Sequence, residues 1–208
     1  MAASPLRNST QVIYKMIIAA IDYSLTCPSI CVYNQNDGDF SFKHCKVYFN
    51  QQNIAKKEQV RRDSLSLGNI FWSSRFETQS DEERYYLLAD WALSILINEK
   101  VEIVSLEAYA LGAKGRIFNI AEATGILKSY MMTQGIKIHT YAPTLNKKLF
   151  SGKGNAGKDV MIAAFNEKNG INISEEFGLE KCFTGSPISD IVDSYSLIET
   201  FLKERNII

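Results

Sequence analysis

Ser186-Pro187-Ile188-Ser189-Asp190-Ile191-Val192-Asp193-Ser194-Tyr195-Ser196-Leu197-Ile198 opens the last helix of the chain. Proline near the start and a 3.6-residue apolar period after it mark a helix N-terminus. Ile188, Ile191, Val192, Tyr195, Ile198 and Leu202 share one stripe, the predicted packing face. Asp190 and Asp193 flank that stripe, about 60° apart around the axis. They read equally as first-turn aspartates favoured by the helix dipole or as carboxylates aimed into a crevice under the helix. Acidic residues elsewhere that are placed to meet them decide between the two.

Asp22 and Glu107 are so placed. Met16–Ile21 is a continuous apolar run ending in Asp22, the pattern of a strand buried on both faces. Val101–Glu107 reads as a further strand, also ending in a carboxylate. Between them, Ser29–Tyr33 and Phe40–Phe49 read as strands joined by the polar turn Asn34–Asp39, and Asp81–Asn98 as a helix. After Glu107, a loop with Lys114 and Arg116 leads into a helix reaching about Thr133, then a strand at Ile136–Tyr141. Two shorter helices, Pro143–Phe150 and Gly157–Lys168, flank a glycine-rich turn. This order predicts a mixed α/β sheet flanked by helices.

If the first strand and the Val101–Glu107 strand are neighbours, their acidic ends lie side by side and the last helix adds two more carboxylates. Four carboxylates within about 4 Å repel by several kcal/mol per pair at an effective dielectric near 20. Protonation or divalent cations relieve such a cluster, and an all-oxygen donor set favours Mg²⁺ or Mn²⁺ over zinc. Two such ions can activate a water and stabilise the leaving oxygen in phosphodiester cleavage.

Composition bounds the rest. The 208 residues are 46% hydrophobic, enough for one buried domain and short for two. No apolar run approaches the roughly 20 residues of a membrane span, and the start of the chain lacks a signal-peptide pattern. The four cysteines show no zinc spacing, and Cys27 and Cys31 read as small buried hydrophobes, so a reduced, intracellular, soluble protein is expected. Net charge is zero but unevenly spread. Lys43–Arg62 holds six basic residues and one acidic, whereas Glu77–Glu107 holds eight acidic and two basic. The polar stretch 50–80 reads as an insertion. His44 and His139 read as strand residues without a nucleophile, Tyr85, Tyr86 and Trp91 as core, and Ser151–Gly154 lacks the spacing of a phosphate-binding loop.

The order Asp22, Glu107, then Asp190 and Asp193 resembles the RuvC-type Holliday junction resolvases of the RNase H-like nuclease superfamily. The likeness runs from about Met16 to Phe201, outside 50–80. It lies in Ala-Ile-Asp22-Tyr-Ser-Leu-Thr, in Val-Ser-Leu-Glu107-Ala-Tyr-Ala and in the acidic pair on the last helix. A second match is Tyr141–Lys158, where Lys147 stands five residues before Gly152 and Lys158 six after it. The resemblance implies an RNase H-like, mixed five-stranded sheet flanked by helices over 15–208, with a flexible tail at 1–14. It further implies Mg²⁺, with Mn²⁺ able to substitute, held by Asp22, Glu107, Asp190 and Asp193. Lys147 and Lys158 would then hold the scissile strand beside the metals, and Lys148, Lys153, Lys114 and Arg116 would contact DNA. The partner implied is branched DNA, four-way junctions above all, and the protein a homodimer joined through Ile117–Met132. The family's aromatic wedge has only a shifted counterpart here, Tyr109. Such divergence suits a phage or organellar relative. Two rivals remain open: a nuclease of this fold acting on flaps, and a non-catalytic nucleotide-binding or nucleic-acid-binding module.

Overall fold

A computed structural model of the chain describes residues 15–51, 68–74, 76–109 and 117–208. The sheet is built from β1 (Ile17–Asp22), β2 (Ser29–Asn34), β3 (Cys45–Gln51), β4 (Ile70–Ser74), β5 (Ile103–Glu107) and β6 (Lys137–Tyr141). Their spatial order is β4-β3-β2-β1-β5-β6. β1, β2 and β3 run antiparallel in turn, while β5 pairs parallel with β1, β6 with β5, and β4 with β3. The expected five strands are therefore six. β4 lies inside the stretch read as an insertion, where Ile70-Phe71-Trp72 supplies a short β-prone run among polar residues. Phe71 stacks on Tyr48 of β3 with ring centroids 4.9 Å apart. His44 and Tyr86 also differ from the strand and core positions expected of them. His44 sits in a 3₁₀ turn (Phe42–His44), so β3 starts at Cys45. Tyr86 is exposed, unlike its neighbour Tyr85.

Among the described residues, six helices cover the sheet: α1 (Asp81–Asn98), α2 (Ile117–Thr133), α3 (Pro143–Ser151), α4 (Lys158–Asn169), α5 (Ile173–Glu176) and α6 (Ile188–Glu204). Strand alternation divides them. Ala19 and Ile21 of β1 face a core with Leu88, Ala92 and Leu96 of α1 and Leu127 and Met131 of α2. Ile18 and Ala20 face the opposite core, with Ile191, Tyr195, Ile198 and Leu202 of α6 and Phe165 of α4. No helix among the described residues is long and apolar enough to cross a membrane.

α6 is not the one-sided helix its stripe predicts. It lies against β1, β2 and β5 on one side and α3 and α4 on the other, so it is buried nearly all round. Its hydroxyls are tolerated because each finds a partner. Ser194 donates to the Ile191 carbonyl at 2.9 Å and pairs with Ser29 Oγ at 3.0 Å. Ser196 donates to the Asp193 carbonyl at 2.8 Å. Asn146 of α3 donates to Ser196 Oγ at 2.9 Å and accepts from Thr200 Oγ1 at 2.8 Å. Lys168 of α4 and Lys203 both reach the buried Glu199, at 2.8 and 2.6 Å.

Candidate active site

The fold brings the predicted carboxylates to one end of the sheet. β1 and β5 are parallel neighbours with Ile21 opposite Leu106, so one residue further on, Asp22 and Glu107 end the two strands side by side. Asp22 continues the series Ile18, Ala20, and Glu107 the series Ile103, Ser105. Both therefore point to the α6 face of the sheet. The hydrogen bond from Ser105 Oγ to the Leu197 carbonyl, 3.2 Å, fixes that face independently. α6 enters across the same end with Asp190, which is 8% exposed, and Asp193 one turn later.

The electrostatics record the convergence. Asp22 is held well above the usual carboxylate range by burial and by the charges of Asp193, Asp190 and Glu107, in that order. Burial, then Glu107 and Asp190, push Asp193 up to about 7. Burial also raises Asp190, against hydrogen bonding from Ser186, the charge of Lys158 and hydrogen bonding from Cys27. Glu107 is raised by burial and drawn back by Lys147. Two lysines thus face the four carboxylates, from α3 and α4.

The turn between those helices explains how. α3 starts with Pro143 at a position where a backbone donor is not needed. It stops at Gly152, whose φ of 80° is left-handed and favours glycine. The chain reverses there, and α4 begins at Lys158. Lys158 Nζ donates to Ser189 Oγ of α6 at 3.1 Å.

Asp22, Glu107, Asp190, Asp193, Lys147 and Lys158 are therefore brought together. Lys148 is exposed on α3, and Lys153 is exposed in the turn that follows. Tyr109, 38% exposed, lies two residues past Glu107 with Lys128 Nζ of α2 5.4 Å from its ring centroid. Lys114 and Arg116 lie outside the described residues, as do the tail at 1–14 and most of 50–80.

Among the described residues, no three His, Cys, Asp or Glu side chains are drawn into a ligating group. The donor set nevertheless fits divalent cations. It is all carboxylate oxygen, the charges of the other members raise the proton affinity of Asp22 and Asp193, and Asp190 Oδ2 is buried without a hydrogen-bond partner. A buried carboxylate oxygen left unpaired is costly unless a proton or a cation meets it.

Four supporting residues escaped the sequence reading: Ser189, Asn146, Cys27 and Ser186. Asn146 carried a signal, since it interrupts the apolar side of α3 one turn before the buried Phe150. Ser189 carried only its position beside Asp190.

No family profile matches the sequence, and no curated protein matches it. Solved structures do. RuvC of Thermus thermophilus superposes with a TM-score of 0.56 at 16% identity, covering 92% of this chain and 97% of that one. The chain has the RuvC-type, RNase H-like fold. T. thermophilus RuvC in complex with a Holliday junction substrate gives a TM-score of 0.57 at 14% identity, over 91% of this chain and 96% of that one. A Fowlpox virus resolvase in complex with substrate Holliday junction DNA aligns at a TM-score of 0.48 and 16% identity, over 91% and 99%. The RuvC-type fold is thus matched over nearly the full length of both chains, with six strands in the sheet seen here.

Proposed function

We propose that this chain is a divalent-cation-dependent endonuclease that resolves four-way DNA junctions by paired phosphodiester hydrolysis. The observation that carries the reading is the meeting of Asp22, Glu107, Asp190 and Asp193 at one end of the sheet with Lys147 and Lys158 against them. Asp22, Glu107, Asp190 and Asp193 would hold Mg²⁺, or Mn²⁺ in its place. Bound there, a pair of such ions supplies an activated water and a counter-charge for the leaving oxygen. The chain's own part is positioning and charge. The lysines offer compact positive charge where a phosphodiester enters and where negative charge grows in the transition state. Exposed Lys148 and Lys153 continue that charge outward, and Lys114 and Arg116 belong to the same proposed surface. Solved RuvC in complex with a junction supports four-way DNA as the substrate.

Paired cuts call for two sites related by a two-fold axis, and the outer face of α2 suits a second copy. Phe118 and Met132 are 79% and 72% exposed on it, with Glu122, Gly125 and Ser129 between them at helical spacing. A side chain at Gly125 meets nothing within 4 Å. Gly125→Arg is therefore expected to leave the helical circular dichroism spectrum unchanged while the mass in solution falls from a dimer to the 23.4 kDa monomer. A variant that stays dimeric would remove this face from the interface.

The deciding assay is nicking of a synthetic four-way junction beside flap and linear duplex DNA, with Mg²⁺ or with EDTA. Symmetric, metal-dependent nicks confined to the junction are expected. Metal-dependent cutting of flaps alone would keep the site and change the substrate. Cutting of nothing would leave a binding module.

A further inference from the structure

Lys158 is the first residue of α4 and is exposed, so its long side chain has room to move. Its charge acts on Asp22, Asp190 and Asp193. Even so, among the described residues its amine makes no ion pair with a carboxylate. Its contact is Ser189, the second residue of α6, which is 3% exposed and whose Oγ accepts from Nζ at 3.1 Å. A flexible ammonium near several carboxylates would ordinarily collapse onto one of them. Such a pair would cover an oxygen that the proposed chemistry leaves free for a cation, and would withdraw the positive charge from the phosphate.

The geometry points to Ser189 as a positioning residue: its buried hydroxyl parks the Lys158 amine beside the acidic cluster rather than on it. Because Ser189 precedes Asp190 on the same rigid helix, the amine is indexed to the carboxylates by a single turn of backbone. This role rests on the nuclease reading above. Serine suits the task, being a neutral acceptor small enough for a buried site where α4 meets α6.

The test is a double-mutant cycle read by single-turnover cleavage of a four-way junction in Mg²⁺. Ser189→Ala is expected to slow cleavage about tenfold, the loss of one hydrogen bond to a charged group. In a Lys158→Met background, the same change should alter the rate by less than about twofold, because the residue acts through Lys158. Ser189→Thr keeps the hydroxyl and should restore most of the rate. Ser189→Cys, nearly isosteric and a weak acceptor, should repeat the alanine result and stands in if the alanine chain does not fold. Junction affinity in EDTA should move little among the Ser189 variants that keep Lys158. Equal losses with and without Lys158 would mark Ser189 as merely structural, and an unchanged rate in Ser189→Ala would also overturn the role. A wild-type chain that cuts no DNA would instead overturn the nuclease reading, and the positioning role with it.

Discussion

Asp193→Asn is expected to abolish cleavage, by more than about a hundredfold given what even outer partners of a metal contribute, while junction binding in EDTA stays within a few-fold. The same change is expected to stabilise the metal-free protein. Asp193 titrates near 7 in the fold, against 3.8 for an ordinary aspartate. Ionising it therefore costs the folded state more than the unfolded one. The wild-type stability from this group is complete below pH 4 and is lost as pH rises through about 7. Asparagine removes that loss. At pH 8 in EDTA the gain should be about 2–4 kcal/mol, the upper figure being the full difference in proton affinity. For a domain of this size that is roughly 5–15 °C in melting temperature. At pH 4 the gain should vanish, and in excess Mg²⁺ the wild type should recover the advantage. Melting curves at the two pH values check the sign; a destabilised variant at pH 8 would mean that burial and the neighbouring charges do not raise Asp193.

Phe165→Ala is expected to give the largest loss of stability. Phe165 is fully buried on α4. It meets Phe42 edge-on at 4.9 Å and Tyr195 of α6 edge-on at 5.0 Å. Truncating a buried phenylalanine costs about 3–5 kcal/mol, because the rigid surroundings do not close the cavity. That is a large share of the 5–15 kcal/mol holding a typical domain. Denaturant melts should show it as a lower midpoint at unchanged slope. Phe118→Ala, on an exposed face, should stay within about 0.5 kcal/mol of wild type when monomeric. The contrast matters for function, since Phe165 pins to α6 the helix that carries Lys158. A chain with Phe165→Ala that still melts with wild-type stability would mean that α4 is held by something else.

Residues whose role follows from local pattern were legible in the sequence. A strand buried on both faces shows as a continuous apolar run, so β1 and its terminal Asp22 could be read directly, while Val101, Ile103 and Val104 marked β5 up to Glu107. The acidic pair on α6 was legible from the 3.6-residue apolar period that it flanks. Readings that depended on neighbours fared worse. α6 carries Ser194, Ser196 and Thr200, which suggests a solvent side; only β2 and α3, supplying Ser29 and Asn146, make that side an interior. β4 was hidden because five strand residues at a sheet edge leave little periodicity, and their stacking partner Tyr48 lies 23 positions away. Ser189 was illegible because a lone serine has no pattern, and its partner Lys158 comes from another helix.

The divalent-cation site proposed at Asp22, Glu107, Asp190 and Asp193 is tested by Mn²⁺ binding. Titration followed by electron paramagnetic resonance at pH 8 should show bound Mn²⁺ in the wild type, displaced by Mg²⁺ and largely lost in Asp193→Asn and Asp22→Asn. Mn²⁺ binding that is absent from the wild type, or as strong in both variants, would contradict it.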